Sequence, residues 1–502
     1  MAERTQEPNA NGRDYRDTIY LALIGAAVVR LWIMPMAASF WLDETITYWS
    51  VCKGIVPAIS RSQFWPGQNL PYTMLAAVTF RLAGPGEIAL RLPSLLAALL
   101  TAWLLFRLAA HWCDRETGLI TLAVLASLQE ISMSAANARQ YSIGLLMVVG
   151  SVFQLVQWME SGRKRNLAGF IIFAAAIPYF HYFFASVYLV YAFYAFWRKR
   201  AGTPVRWGEI CASAAGILIL ITPLLWNAIL RKHSAPESLS FLYTPHFKDL
   251  FVSLLPPVLG GGIFGGLLLV LVVNRDWRAT EGPHLSWESL VLIVSWFLVP
   301  IASLFMVSRI TPYKVFLGRY YLPAFPAIAL LVAFGLRSLV PRSIRIWVSG
   351  CIVVAAIASF GGRHLLIVNP HEEDWRAAAV AIRAAGITGA TPVLFRTGLA
   401  ETKVDANSEV DHDSPYLAPL SRYPIPGRIM LAPYRVDDRN IPYLDDISAR
   451  ILEPAGEFVF VTRDDDVALK FWLLGRFSNK GFVVSKIGRA DGVSAMWFRH
   501  QP

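Results

Sequence analysis

Phe40-Trp41-Leu42-Asp43-Glu44-Thr45-Ile46-Thr47-Tyr48-Trp49 places two adjacent acids just past the end of a long apolar segment, framed by tryptophan and tyrosine. Two readings of the pair are open. An acid near a helix N-terminus favours the helix dipole, and tryptophan and tyrosine form interfacial belts at membrane surfaces. Alternatively the pair is a working site. In either case the stretch marks where the first apolar segment meets water, and the rest of the chain is laid out from it.

The chain has 502 residues, 55% hydrophobic content and a mean hydropathy of +0.46, which excludes an ordinary soluble globular protein. Many apolar stretches approach the ~20 residues needed to cross a bilayer. The net charge of +11 invites a nucleic-acid partner, but its distribution argues against one. Residues 364–502 hold 16 Lys+Arg against 18 Asp+Glu, a net −2, so the first 363 residues carry +13, mostly in short loops between apolar segments. That is how membrane topology determinants are distributed. Cys52, Cys113, Cys211 and Cys351 are scattered, and the histidines have no ligand-like spacing, so neither a disulfide framework nor a zinc site follows.

Met1 to Asp17 is polar, with Arg4, Arg13 and Arg16, and reads as a cytoplasmic N-terminal segment. A signal peptide ending at Ala37-Ala38-Ser39 is the alternative, but the apolar segment is long for one and contains Arg30. Span one covers about Thr18 to Met36. Leu70–Phe80 is too short to cross and reads as an interfacial or re-entrant helix. Further spans are expected at about Leu92–Ala110, Gly118–Ala136, Ser142–Met159, Leu167–Tyr179, Phe183–Trp197, Ile210–Leu230, Leu250–Val273, Leu290–Val307, Tyr321–Leu336 and Ile346–Phe360. With Leu70–Phe80 kept out, one set of loops holds 12 basic residues and the other 7. Positive-inside places the richer set in the cytoplasm. About eleven spans result, with Asp43-Glu44 and the C-terminal tail together on the outer face.

After Phe360 the chain changes character. Pro370-His371-Glu372-Glu373-Asp374-Trp375 opens a helix through Arg383, followed by short β-rich runs at Pro392–Phe395, Arg428–Leu431, Phe458–Val461, Phe482–Val484 and Ala495–Phe498. A helical pattern surrounds Asp466–Leu474, and Glu401–Asp413 reads as a polar loop. The division expected is a cytoplasmic segment 1–17, a transmembrane catalytic domain 18–362, and a soluble α/β domain 363–502 outside.

Folding the outer loops together collects a carboxylate pair, several cations, a histidine and tyrosines. Asp43 and Glu44 are joined by Arg91, by Asn137-Ala138-Arg139-Gln140-Tyr141, by His181 among Tyr179, Phe180 and Tyr182, and by Arg309, Lys314 and Arg319-Tyr320-Tyr321. These are the groups needed to deprotonate a hydroxyl and to stabilise an anionic leaving group. Each has a plainer reading. Lys and Arg at span ends snorkel, His181 fits an aromatic belt, Arg30 pairs or snorkels, and Glu130 is either a partner of Arg30 or a site residue. Asp464-Asp465-Asp466 reads as a solvated, helix-capping loop. Gly260-Gly261-Gly262 lies inside an apolar span, where close helix packing explains it better than phosphate binding.

Several of these pieces together resemble the GT-C membrane glycosyltransferases, in particular the bacterial group similar to protein O-mannosyltransferases and to the aminoarabinose transferase acting on lipid A. The matching pieces are Asp43-Glu44 after the first span, Glu87-Ile88-Ala89-Leu90-Arg91-Leu92-Pro93-Ser94, Ala138-Arg139-Gln140-Tyr141-Ser142, Arg319-Tyr320-Tyr321-Leu322-Pro323-Ala324-Phe325-Pro326, and Asp374-Trp375-Arg376 where the tail begins. The resemblance implies a polytopic α-helical membrane protein of GT-C type. It also implies surface helices in the first outer loop, in keeping with Leu70–Phe80.

It implies an inverting transfer of a sugar from a polyprenyl-phosphate carrier to an acceptor hydroxyl on a lipid, glycan or protein, at the outer, periplasmic face of a bacterial inner membrane. Asp43 would be the general base and Glu44 would orient it. Arg319 and Lys314 would hold the donor phosphate first, Arg139 and Arg91 second, with Tyr141 and Tyr320 donating to the same oxygens. His181 would bind donor or acceptor. No cofactor is implied, a divalent metal is left open, and the partners are the lipid-linked donor, the acceptor and membrane lipids, with no nucleic acid. The other class of reading is a polyprenyl-lipid or glycolipid transporter. That would call for half-to-half repeats and mid-membrane charges, whereas here the polar groups gather on one face.

Overall fold

The computed structural model describes residues 15–64, 69–230, 243–273, 278–279, 285–360, 371–399, 402, 404, 413–464 and 467–501. The basic N-terminal stretch through Arg13, the counted cations Arg231, Lys232 and Arg275, the start of the tail at 361–370, most of the loop 401–413, and Asp465-Asp466 lie outside them.

Helix α1 (Tyr15–Ala27) continues as a π-turn (Val28–Ile33) and a 3-10 turn (Met34–Ala37). Pro35 lacks a donor for the helical ladder and closes the element, and Ala38 turns extended. The segment after the first apolar helix folds into three short helices, α2 (Leu42–Val51), α3 (Ile55–Phe64) and α4 (Leu70–Ala83). Thus α4 is the short apolar helix expected there, capped by Asn69. Next come α5 (Glu87–Trp112), α6 (Arg115–Ser127), α7 (Gln129–Ala135), α8 (Tyr141–Ser161), α9 (Lys164–Phe180), α10 (Val187–Ala201) and α11 (Trp207–Leu230). Then follow α12 (Phe247–Leu254), α13 (Pro257–Val273), α14 (Trp287–Ile310), α15 (Phe325–Arg337) and α16 (Arg342–Phe360).

This is an integral membrane protein. Among the described residues six helices are long and apolar enough to cross a bilayer, or up to eight if each bent pair counts as one span. Each of the eleven expected spans has a helical counterpart. However, α9, α10 and the turn-plus-helix Leu322–Arg337 fall short of 18 residues, so length alone does not carry the count to eleven. The expected straight span Gly118–Ala136 is in fact broken. Leu128 is extended, and α6 and α7 meet at 75°. No proline or glycine marks the break.

The tail starts with α17 (Trp375–Ala384) and builds a mixed sheet. After the two-residue ribbon of β1 (Arg278–Ala279) and β2 (Leu339–Val340), the strands are β3 (Pro392–Phe395), β4 (Arg428–Leu431), β5 (Glu457–Arg463), β6 (Phe482–Lys486) and β7 (Val493–His500). Their order is β4-β3-β5-β7-β6. β3 lies parallel to β4 and β5, and β7 lies antiparallel to β5 and β6. One face packs Trp375, Ala379 and Ile382 of α17 over Val393 and Val459, in a core that also takes in Phe40, Tyr48 and Tyr72 from the membrane part. The tail is therefore seated on the segment that holds α2 and α4.

Candidate active site

The site is built on the chain reversal between α1 and α2. The turn ends with Ala38 N donating to Pro35 O at 3.0 Å, and the carbonyls after Pro35 are left without helical partners, which is costly when they are buried. Arg91, 1% exposed, meets them from α5. Its Nη1 donates to Pro35 O at 3.0 Å, Met36 O at 3.0 Å and Ala38 O at 2.8 Å, and its Nη2 to Ser39 O at 3.1 Å. The remaining donors go to the fully buried Glu44, with Nε to Oε1 at 2.7 Å and Nη2 to Oε2. Glu44 also accepts from Ala138 N at 2.6 Å and Trp41 N at 3.3 Å.

The tail holds the same extended segment from its N–H side. Tyr423 Oη accepts from Phe40 N at 2.9 Å and donates to Glu87 Oε1 at 2.8 Å. Glu373 accepts from Leu42 N at 2.9 Å and Trp375 Nε1 at 3.1 Å and pairs with Arg463 at 3.0 Å. A short extended strip is thus held on its carbonyls by Arg91 and on its amides by the tail, and it delivers Asp43 at the second position of α2.

Asp43 and Glu44 consequently have different surroundings. Glu44 is the helix-end residue of the plainer reading, closing α2 against Trp41. The Asp43 carboxylate, 23% exposed, lies 3.4 Å from Arg319 Nη1, and its backbone carbonyl lies 3.4 Å from Arg139 Nη1. The Arg319 guanidinium sits over Trp41 at 5.9 Å and over Tyr320 at 5.4 Å. Its Nε is buried and has no partner among the described residues.

Arg319 forms part of the wall of a cavity of about 320 Å³, shared with Trp41, Glu130, Ser134, Asn137, Tyr141 and His371. Asn137 accepts from Trp41 Nε1 at 3.3 Å, and His371 stacks on Trp41 with centroids 4.4 Å apart. Behind Arg319 an aromatic group surrounds His181, with Tyr141 and Tyr320 each at 5.3 Å and Phe184 stacked at 4.4 Å.

The expected site residues thus divide. Asp43, Arg319, Arg139, Tyr141, Tyr320 and His181 converge. Arg91 does not fit the phosphate role expected of it, because each of its nitrogens is already bonded to Glu44 or to a carbonyl. Lys314 is also set apart. Its Nζ donates to Ser308 O at 2.9 Å and Thr311 O at 3.1 Å, tying the loop after α14 to the helix end, and it does not line the cavity. His371 and Glu373 were not singled out from sequence. They lie in Pro370-His371-Glu372-Glu373-Asp374-Trp375, which reads locally as a helix start.

Burial, and then the Arg319 and Arg139 charges, push the His181 imidazole down to about 3. The ring is neutral in the folded protein at physiological pH, whereas in the unfolded chain it titrates near 6.5. Its contribution to stability is therefore full above about pH 6.5 and is lost as pH falls toward 3. Between pH 7 and 5 this group is expected to cost about 2 kcal/mol, read as a falling unfolding temperature in detergent. His181→Phe should flatten that part of the profile. An unchanged slope would mean that the imidazole is not held neutral.

Residues 71–226 match the family model for dolichyl-phosphate-mannose-protein mannosyltransferase. The match includes Arg91, Arg139, Tyr141 and His181 but neither Asp43 nor Arg319. In fold, the chain is similar to ArnT from Cupriavidus metallidurans in the apo state, over 96% of this chain and 98% of that one, with a TM-score of 0.55 and 12% identity. ArnT from the same organism bound to undecaprenyl phosphate matches over 95% and 97%, with a TM-score of 0.54 and 13% identity. No curated protein sequence matches the chain. The resemblance to GT-C membrane glycosyltransferases read from the sequence is borne out by the family model over part of the chain and by fold over nearly all of it.

Proposed function

We propose that this protein is an inverting glycosyltransferase that moves a sugar from a polyprenyl-phosphate carrier to an acceptor hydroxyl at the outer face of the membrane. The observation that carries the reading is Arg319 on the wall of a cavity lined by aromatic, apolar and a few polar side chains, paired with Asp43 beside it and with its buried Nε left without a partner among the described residues. The undecaprenyl phosphate named for the similar ArnT structure supports a polyprenyl-phosphate ligand. The excess of basic residues in the opposite set of loops supports the outer-face orientation.

In the proposed reaction Asp43 accepts the proton of the acceptor hydroxyl, and the freed oxygen forms the new bond to the anomeric carbon. The bond from that carbon to the phosphate oxygen breaks, and its electron pair stays with the phosphate. A diester monoanion thereby becomes a monoester, and negative charge grows on the leaving group. Donors aimed at that charge stabilise the transition state more than the ground state. Arg319 is the primary donor, with Arg139, Tyr141 and Tyr320 beside it. Glu44 and Arg91 act as positioning residues through the strip that carries Asp43, and His181 acts as a neutral wall. Displacing the Asp43 carboxylate from Arg319 is the step by which phosphate binding would free the base.

Arg319→Ala is expected to weaken binding of undecaprenyl phosphate by about ten- to a hundredfold, the scale of a lost hydrogen bond to a charged group. Arg319→Lys should recover part of it, because an ammonium keeps the charge without the paired donors. Titration of undecaprenyl phosphate into purified protein measures this. Unchanged affinity in Arg319→Ala would remove Arg319 from the phosphate site.

A further inference from the structure

Helix α7 crosses at 75° to α6 and turns one face to the cavity. Glu130, Met133 and Ser134, at i, i+3 and i+4, line it, together with Asn137 just past the helix end. Glu130 is the unusual member. Among the described residues no cation pairs with it. Its Oε1 lies so close to the loop before Arg319 that a Cβ on Gly318 would stand 2.6 Å away. Glycine is what lets the carboxylate approach there. A carboxylate facing a partly enclosed cavity without a cation needs hydrogen-bond donors from whatever fills the space.

We propose that Glu130 is a binding residue for the sugar of the lipid-linked donor, accepting hydrogen bonds from its hydroxyl groups. The inference rests on the reading of the site as a polyprenyl-phosphate glycosyltransferase. With the phosphate on Arg319, its two ester groups are the sugar and the polyprenyl chain, and of the two only the sugar carries hydroxyls that the Glu130 carboxylate, across the same cavity, can accept from. A volume of about 320 Å³ lies at the lower end of small-molecule sites, which suits a monosaccharide rather than a longer glycan. Trp41 and Tyr141 line the same cavity, and a carboxylate together with aromatic side chains is a pairing suited to a ring that has hydroxyls at its rim and C–H groups on its faces.

The test measures binding by wild type, Glu130→Gln and Glu130→Asp of three probes: undecaprenyl phosphate, undecaprenyl-phosphate mannose, and the monodeoxy analogues of that mannose. Glu130→Gln is expected to lose about ten- to a hundredfold in affinity for the sugar-bearing lipid and to bind undecaprenyl phosphate as wild type does. At least one deoxy analogue should bind wild type more weakly than the parent, and that difference should disappear in Glu130→Gln. Glu130→Asp, with its shorter reach, should fall between.

An equal loss for undecaprenyl phosphate and its mannoside would overturn the proposal, because Glu130 would then only shape the loop at Gly318. No loss for the mannoside, or deoxy analogues that wild type does not distinguish, would overturn it as well. If wild type binds neither lipid, the reading of the whole site fails and this inference with it. Binding of undecaprenyl phosphate by both wild type and variant isolates a failure of the Glu130 assignment alone.

Discussion

Asp43→Asn is expected to lower sugar transfer by roughly 10²- to 10⁴-fold, the usual contribution of a positioned general base, without weakening the binding of undecaprenyl phosphate. Asparagine keeps the size of the side chain and can still face Arg319, but it cannot take a proton from the acceptor. Removing the negative charge also removes the competitor for Arg319, 3.4 Å away in the free protein, so phosphate affinity should hold or rise. The measurement pairs a transfer assay, using an undecaprenyl-phosphate sugar and candidate acceptors, with a binding titration. Undiminished turnover in a properly folded variant would remove Asp43 from the base role. Lost turnover accompanied by lost lipid binding would place Asp43 in donor binding instead.

The largest effect on stability is expected at the neighbouring pair. Arg91→Ala leaves Glu44 as a buried charge with no cation and strands the carbonyls of Met36, Ala38 and Ser39, while Pro35 O keeps only its bond from Ala38 N. Breaking a buried ion pair from one side costs about 3–5 kcal/mol, and each orphaned buried acceptor adds to that. A fall in unfolding temperature of several degrees or loss of the folded protein is expected. Arg91→Lys should not restore it, because one ammonium has three donors and cannot span both the carboxylate and the carbonyl fan. Glu44→Gln should cost less than Arg91→Ala, since the carbonyls keep their donor. Asp43→Asn should change the stability least, by about 1 kcal/mol or less, because its carboxylate is partly exposed and makes one long ion pair. Thermal unfolding of the four variants in one detergent ranks them. If Arg91→Ala folded with wild-type stability and lost only lipid affinity, Arg91 would belong to the phosphate site after all.

Sequence reading went furthest where the signal was local. Apolar runs gave helices at every expected span, and short β-rich runs gave the strands at Pro392–Phe395 and Arg428–Leu431 at the expected positions. It went less far at α6 and α7, where composition carries no breaker and the 75° bend arises at an extended Leu128. That bend turns the face of Glu130 toward the cavity, and sequence alone left Glu130 undecided between a partner for Arg30 and a site residue. His371 and Glu373 escaped notice for another reason. Their importance comes from contacts with Trp41 and Leu42 more than 300 positions away.

The sequence by itself determined a membrane protein with many apolar helices, a chemically distinct tail, and an inventory of carboxylates, arginines and tyrosines that resembles the GT-C glycosyltransferases. Hydrophobic run length and residue type are properties of the chain, so they survive without coordinates. The resemblance ranks Asp43 before Glu44 as the base and Arg319 before Arg91 at the phosphate, but only the tertiary structure supplies a physical reason and gives Arg91 a different task. The members of each pair are chemically alike, and they differ only in what surrounds them. Glu44 and Arg91 satisfy each other and the carbonyls freed past Pro35, whereas Arg319, among the described residues, keeps a buried donor without a partner and lines a cavity, with Asp43 beside it. Hydrogen-bond saturation depends on segments remote in sequence, and it is what distinguishes the charges that hold the fold from those left available for a ligand.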